Sequence, residues 1–310
     1  MPNSIYCLMG PTASGKTTLA SELVQRYPFE IISVDSAMIY REMNIGTAKP
    51  SAEELLLAPH HLIDLLDPPE SYSASQFCDD VMRLVPEIYR RGKLPLLVGG
   101  TMMYFHALQQ GLSPLPQADN TVRAVIEQQA LIYGWEHMHQ ELAQVDPQSA
   151  AKIHPNDMQR IQRALEVFQL TGKPLSSFWA DQKPNQTFRF VNMVLFPEQR
   201  AWLHEQIATR FAKMLEEGLV YEVAEILQKW HLSPTCPAMR TVGYRQVVNY
   251  LAGDYDYDML RHKGVVATRQ LAKRQLTWLR SWSEAHFFAS DETRIQTKII
   301  ALLEKILDNS

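Results

Sequence analysis

Cysteine is scarce: Cys7, Cys78 and Cys236 are the only three in 310 residues, and no Cys-x-x-Cys pair occurs. An odd, widely spaced set argues against a disulfide framework and against a structural zinc site, and free thiols in a reducing cytoplasm are expected. Long apolar runs are missing as well. No stretch reaches the roughly 18 uninterrupted apolar residues of a membrane-spanning helix. The N-terminus, MPNSIYCLMGPTASGKTTL, has no basic leader and runs from apolar residues straight into a Gly/Ser/Thr loop, so it does not read as a signal peptide. Internal repeats and low-complexity tracts are absent. Basic charge is not in excess either: 30 Lys and Arg against 34 Asp and Glu leave a net charge of −4. That excludes a protein coated in positive charge, but not a local basic face balanced by acid elsewhere. With 46% hydrophobic and 21% charged residues, the chain is an ordinary globular one. Its length suits one large α/β core or two domains.

What is present is a regular alternation. Residues 5–9 form a short apolar run that ends in a glycine loop, and a helical pattern follows over 16–27. Further strand patterns lie at 29–34 and 94–98, with a helix at about 75–91 carrying Phe77, Val81, Leu84, Val85 and Ile88 at helical spacing. Strands alternating with helices imply an α/β fold: a parallel sheet covered by helices, with the strands' carboxyl ends on one edge. The breaker cluster GLSPLP at 111–116 opens a purely helical stretch in which Asn156 or Asp157 can cap a helix that Gly172 and Pro174 stop. A core strand resumes at 188–196. The expected organisation is a core of 1–112 and 188–310 interrupted by a helical insertion at 113–187. His137 and His139 form a His-x-His pair with no third ligand suitably spaced, so no metal site is expected there.

The sharpest local signal is GPTASGKT at 10–17, which matches G-x-x-x-x-G-K-[ST] between a strand and a helix. Chance gives such a match in roughly one chain in a hundred of this size. Gly10 and Gly15 let the backbone curl through Pro11, Thr12, Ala13 and Ser14 so that N–H groups point inward, Lys16 adds a full charge, and Thr17 can hold Mg²⁺ through its hydroxyl. The loop calls for a polyphosphate or diphosphate, not specifically a nucleoside triphosphate. The apolar strand ending in Asp that a nucleotide hydrolase adds is missing: the later strand reads LPLLVGGT. No Asn-Lys-x-Asp guanine reader occurs. Asp35, in ISVDS, is the strand-end acid nearest the loop in sequence, placed either to hold Mg²⁺ or to act as a general base. Three strand ends therefore converge: the loop, Asp35-Ser36, and Gly99-Gly100-Thr101.

The charge is also segregated. Eight basic and three acidic residues lie between positions 240 and 280, a surplus of five that leaves the rest of the chain at minus nine. Within this window 267–280 reads as a helix with Arg269, Lys273 and Arg280 on one side. Leu271, Ala272, Leu276, Trp278 and Leu279 lie on the other. A basic stripe suits a nucleic-acid backbone or a solvated face equally. A second basic spot is QRIQR at 159–163.

These segments together resemble the bacterial tRNA dimethylallyltransferases. The matching motifs are GPTASGKT (10–17), ISVDSAMIYREMNIGTAKP (32–50), PHHLIDLLDP (59–68), YSASQF (72–77), LLVGGTMMYFHAL (96–108), IHPNDMQRIQRALEV (153–167), RTVGYRQ (240–246) and TRQLAKRQLTWLR (268–280). The resemblance implies transfer of a dimethylallyl group from dimethylallyl diphosphate to the N6 amine of the adenine 3′-adjacent to the anticodon, in tRNAs reading U-initial codons. Mg²⁺ would assist and the loop would hold the diphosphate. The implied general base is Asp35 and the implied diphosphate-binding arginine is Arg210. The implied tRNA contacts are Asp35, Ser36, Ala37 and Met38; Thr101, also assigned to the catalytic set; Arg123; Gln159, Arg160, Ile161, Gln162 and Arg163; Arg240, Thr241, Val242, Gly243, Tyr244 and Arg245. To these the helical stripe adds Arg269 and Lys273. The expected partners are the anticodon stem-loop of tRNA and the allylic diphosphate, for a cytoplasmic monomer with no membrane contact. A small-molecule or nucleoside kinase on the same loop is the rival reading.

Overall fold

The computed structural model describes residues 4–234 and 236–308. The chain divides into two compact units, Met1–Ala107 with Gln186–Ser310, and Leu108–Asn185. The first boundary thus falls five residues before the expected one at 112/113, and the second two residues before 187/188.

The first unit begins with β1 (Ser4–Met9), α1 (Lys16–Arg26), β2 (Phe29–Val34), α2 (Ala52–Leu57), β3 (His60–His61), α3 (Ala74–Arg90) and β4 (Leu94–Gly99). From β4 the chain enters α4 (Met102–Gln110), which carries it into the second unit. That unit holds α5 (Asn120–Tyr133), α6 (Trp135–Val145), α7 (Pro147–Lys152) and α8 (Met158–Thr171). The first unit then resumes with β5 (Arg189–Phe196), α9 (Arg200–Glu216), α10 (Leu219–Trp230), α11 (Tyr244–Leu251), α12 (Tyr257–Arg280), β6 (His286–Ala289) and α13 (Ile295–Asp308).

The strands form one six-stranded sheet in the order β3-β2-β4-β1-β5-β6, parallel throughout. The inner strands are apolar on both faces because helices cover both, which is why they read as apolar runs rather than as an alternation. On one face Tyr6, Leu8, Ile31, Leu96, Val98, Met193 and Leu195 pack with Leu19 and Leu23 of α1 and Ile299 and Leu303 of α13. α3 buries the five residues whose spacing marked it, and a reciprocal Ser73/Gln76 box caps its start. Edge strands β3 and β6 are too short to stand out in the sequence, with two and four residues.

The second unit has its own core, with Ile126, Met138, Leu142, Ile161 and Leu165 at its centre. Of the two candidate caps for α8, Asp157 serves, accepting from the Arg160 N–H, and Gly172 ends the helix with a left-handed backbone. His139 Nε2 lies 2.8 Å from the Ile153 carbonyl and 3.1 Å from that of Ala150, so it donates there and ties α6 to the end of α7. α12 starts ten residues earlier than the 267–280 pattern suggested, capped by Asp256.

Candidate active site

The order of the sheet places the carboxyl ends of β1, β2 and β4 side by side, with β1 between β4 and β5. Ligands of open α/β sheets bind at such a reversal of strand order. A cavity of about 470 Å³ opens there, lined among others by Lys16, Thr17, Asp35, Ser36, Thr101, Arg210 and Arg240.

The loop after β1 is built as its spacing suggests. Gly15 sits at φ 84°, a conformation that side chains resist, and from there α1 begins. Ser14 Oγ donates to the Pro11 carbonyl at 2.8 Å, and Lys16 Nζ donates to the same carbonyl at 2.6 Å. Burial pulls the Lys16 ammonium down to about 7, Arg210 pushes the same way, and Asp35 opposes both. In the free protein Lys16 therefore loses its proton as pH rises through about 7, whereas an unfolded chain keeps it to about 10.5. Its buried charge costs stability in full below pH 7, and that cost fades as pH climbs from 7 toward 10.5.

An anion on the loop reverses that shift. Above about pH 7, binding of inorganic diphosphate is expected to take up about one proton, with affinity falling by up to about tenfold per pH unit. Calorimetry at about pH 8 in buffers of different ionisation enthalpy reads the uptake. Lys16→Met should abolish it; wild-type binding without proton uptake would remove Lys16 from contact with the anion.

Asp35 follows β2 directly. Its Oδ1 accepts from the N–H groups of Ala37 (2.8 Å) and Met38 (3.3 Å), so the 35–38 segment is a turn organised by the carboxylate itself. Oδ2 accepts no hydrogen bond from the described residues and is available to the cavity. Thr101 Oγ1 accepts from the Ser36 N–H at 3.1 Å, which joins the end of β4 to that turn. Arg210 arrives from α9, with Nη2 donating to the Thr47 carbonyl at 3.3 Å; burial depresses its pKa and Asp35 opposes the shift. An arginine stays charged nonetheless. Four basic side chains from distant segments thus line the cavity with one carboxylate, Asp35: Lys16, Arg210, Arg240 and Arg274.

Other expected site residues divide sharply. Arg240, Thr241, Val242 and Gly243 line the cavity, but the Tyr244 ring is wholly buried and its hydroxyl donates to Glu222, while Arg245, the second residue of α11, is exposed. The 159–163 stretch and Arg123 lie in the second unit. There Gln159 and Arg160 are exposed, Ile161 is in the core, and Gln162 bonds Glu127. Arg123 and Arg163 both pair with the fully buried Glu166, at 2.9 and 2.6 Å. Those two guanidiniums neutralise a buried carboxylate, a structural duty that sequence spacing did not reveal. On α12, Lys273 is exposed, whereas Arg269 is half-buried with its Nε lacking a partner.

The face of α12 expected to be purely apolar backing is corrected in part: Leu271 and Trp278 line the cavity, together with Thr268, Arg274 and Gln275. Arg274 and Gln275 were missed as site residues, although both lie in the TRQLAKRQLTWLR segment. His60 was missed too. Its Nδ1–H donates to the Ala58 carbonyl at 2.6 Å, burial keeps the ring neutral, and it lines the cavity.

With this geometry in place, comparison with known proteins is decisive. Residues 38–282 match the family model of the IPP transferases, and residues 3–63 match an isopentenyl transferase model. A tRNA dimethylallyltransferase of Legionella pneumophila (strain Corby) is 59% identical over 310 residues, covering 100% of this chain and 99% of its own. The chain belongs to the tRNA dimethylallyltransferase family. A Coxiella burnetii family member is 52% identical over 97% of both chains. The tRNA isopentenylpyrophosphate transferase structure from Bacillus halodurans aligns with a TM-score of 0.72 at 35% identity, covering 100% of this chain and 98% of that one. A eukaryotic dimethylallyltransferase acting on tRNA aligns at 0.83 and 26% identity over 99% of this chain and 80% of that one. The family's reaction is prenyl transfer, so the kinase reading is not favoured. Among the described residues no helix is long and apolar enough to cross a membrane.

Proposed function

We propose that the chain transfers the dimethylallyl group of dimethylallyl diphosphate to the N6 amine of the adenine 3′-adjacent to the anticodon, in tRNAs reading U-initial codons. The observation that carries this reading is the content of one cavity: a phosphate loop flanked by Lys16 and Arg210, and across from it Asp35 with a free carboxylate oxygen.

In this reading the loop N–H groups, Lys16 and Arg210 hold the diphosphate and stabilise the charge it gains as the allylic C–O bond breaks. The N6 nitrogen forms the new bond to that carbon, and Asp35 Oδ2 accepts the proton the amine sheds. An exocyclic amine is a poor nucleophile, so alignment must supply much of the rate. The adenine leaves its stack to enter, at lower cost in an anticodon loop than in a duplex.

The Thr17 hydroxyl on the cavity also fits Mg²⁺, which prefers few protein ligands with substrate phosphates and water completing the shell. When bound there it would supply further charge neutralisation on the diphosphate. Exposed Gln159 and Arg160, the Arg240–Gly243 segment, Arg269 and Lys273 are the proposed tRNA contacts. We also propose a cytoplasmic monomer.

Incubation with bulk tRNA and dimethylallyl diphosphate, without ATP, should add one C5H8 unit to adenosine. A phosphorylated product formed only with ATP would instead establish a kinase.

A further inference from the structure

We infer that Gln275 is a positioning residue that locks the diphosphate loop to the end of β4, and so fixes the leaving group relative to the acceptor side of the cavity. This rests on the transfer reaction proposed above. Gln275 Oε1 accepts from the Thr12 N–H at 2.9 Å, and its Nε2 donates to the Gly100 carbonyl at 2.8 Å. Both partners are backbone groups, one only a donor and the other only an acceptor, so the amide has a single orientation. The side chain is 9% exposed, so neither bond is readily replaced by water. Gly100 is shaped to this contact: a Cβ there would lie 2.5 Å from Nε2.

The clamp continues beyond Gly100. The next residue, Thr101, accepts from Ser36, which adjoins Asp35. A hydrogen-bonded path therefore runs from Thr12 through Gln275 and the β4 end to the turn that holds the proposed base. Thr12 and Gly100 are 88 residues apart, and α12 supplies the link from outside both loops. The same turns of α12 present Leu271, Arg274 and Trp278 to the cavity. A contact that shifts this helix would thus move the phosphate loop and the β4 end together.

Gln275→Glu and Gln275→Leu test this in steady-state prenylation assays beside wild type. A glutamate carboxylate can accept from Thr12 but repels the Gly100 carbonyl, whereas its protonated form restores one donor and one acceptor. The Gln275→Glu to wild-type kcat ratio should therefore be lowest near about pH 8.5 and climb as pH falls to about 5.5, since burial raises a carboxyl pKa. Gln275→Leu should lose about 10- to 100-fold in kcat at every pH, with KM for tRNA changed far less. A merely structural glutamine would not produce the pH-dependent rescue. A flat Gln275→Glu ratio, or Gln275→Leu at wild-type kcat, overturns the inference. If wild type itself made no prenylated tRNA, the transfer reading would fall. Calorimetry with inorganic diphosphate would then still judge the clamp, with Gln275→Leu expected to bind about tenfold more weakly and equal affinity counting against it.

Discussion

Asp35→Asn should lower kcat by about 10²- to 10⁴-fold, the range for loss of a general base, while tRNA affinity stays close to wild type. Asparagine is a cleaner test than alanine. Its side-chain oxygen can still accept from Ala37 and Met38, so the turn at the end of β2 survives and only basicity and charge are lost. Charge does matter to the neighbours: Asp35 is the group that favours the protonated forms of Lys16 and Arg210. Removing it lowers the Lys16 pKa further below about 7. Part of the loss above pH 7 would then be weaker diphosphate binding, visible as a raised KM for the allylic donor. The base itself is read from kcat with the donor saturating at about pH 6.5, where the bound diphosphate holds the proton on Lys16. Wild-type turnover under those conditions would transfer the base role to another group. Asp35→Ala should fall at least as far in kcat and lose stability as well, because two backbone N–H groups lose their acceptor.

The parts of this site that were legible in the sequence are those built by local spacing. Strand, loop and helix at 4–26 are consecutive, and the glycines and Lys16 mean one thing there. Asp35 and Thr101 were legible because parallel strands with right-handed crossovers must put their ends on one edge. Arg210 was different. Its place on a helix was readable and its role came with the family resemblance, but only the packing of α9 carries it to the loop. On α12 the helical period separated two faces correctly without saying which partner each would meet, so Leu271 and Trp278 were assigned to backing rather than to the cavity. Ile161 and Tyr244 make the complementary point. Both lie in motif stretches assigned to tRNA, yet their side chains are fully buried, because a functional segment must also be held down. Gln275, Glu166 and Glu222 escaped for a shared reason: a polar residue inside a helical pattern reads as surface until its distant partners are known.

Glu222 supports the second large expected effect. It is 9% exposed on α10, and its carboxylate accepts from the N–H groups of Asn44 (2.9 Å), Ile45 (2.7 Å) and Gly46 (3.2 Å). The Tyr244 hydroxyl donates to it too; burial and then Glu222 raise the pKa of that phenol, so it remains a neutral donor. One carboxylate therefore satisfies three backbone groups of the segment after β2 and anchors the start of α11. Glu222→Ala takes the shared acceptor from three part-buried N–H groups and the buried Tyr244 hydroxyl and should cost about 3–5 kcal/mol. For a unit of this size that is roughly 6–20 °C in Tm. The damage should reach the chemistry as well, because the next residue, Thr47, offers the carbonyl that holds Arg210. Tyr244→Phe removes only one of the four donors and should cost about 1 kcal/mol. Glu222→Gln keeps the volume and one acceptor oxygen; it should stay folded at 25 °C, yet bind inorganic diphosphate about tenfold more weakly as Arg210 loses its fixed position. Thermal unfolding of the three variants beside diphosphate calorimetry separates the two effects. A Glu222→Ala protein within about 2 °C of wild type would show that water replaces the carboxylate. Wild-type diphosphate affinity in Glu222→Gln would show that Arg210 is held by its own packing on α9.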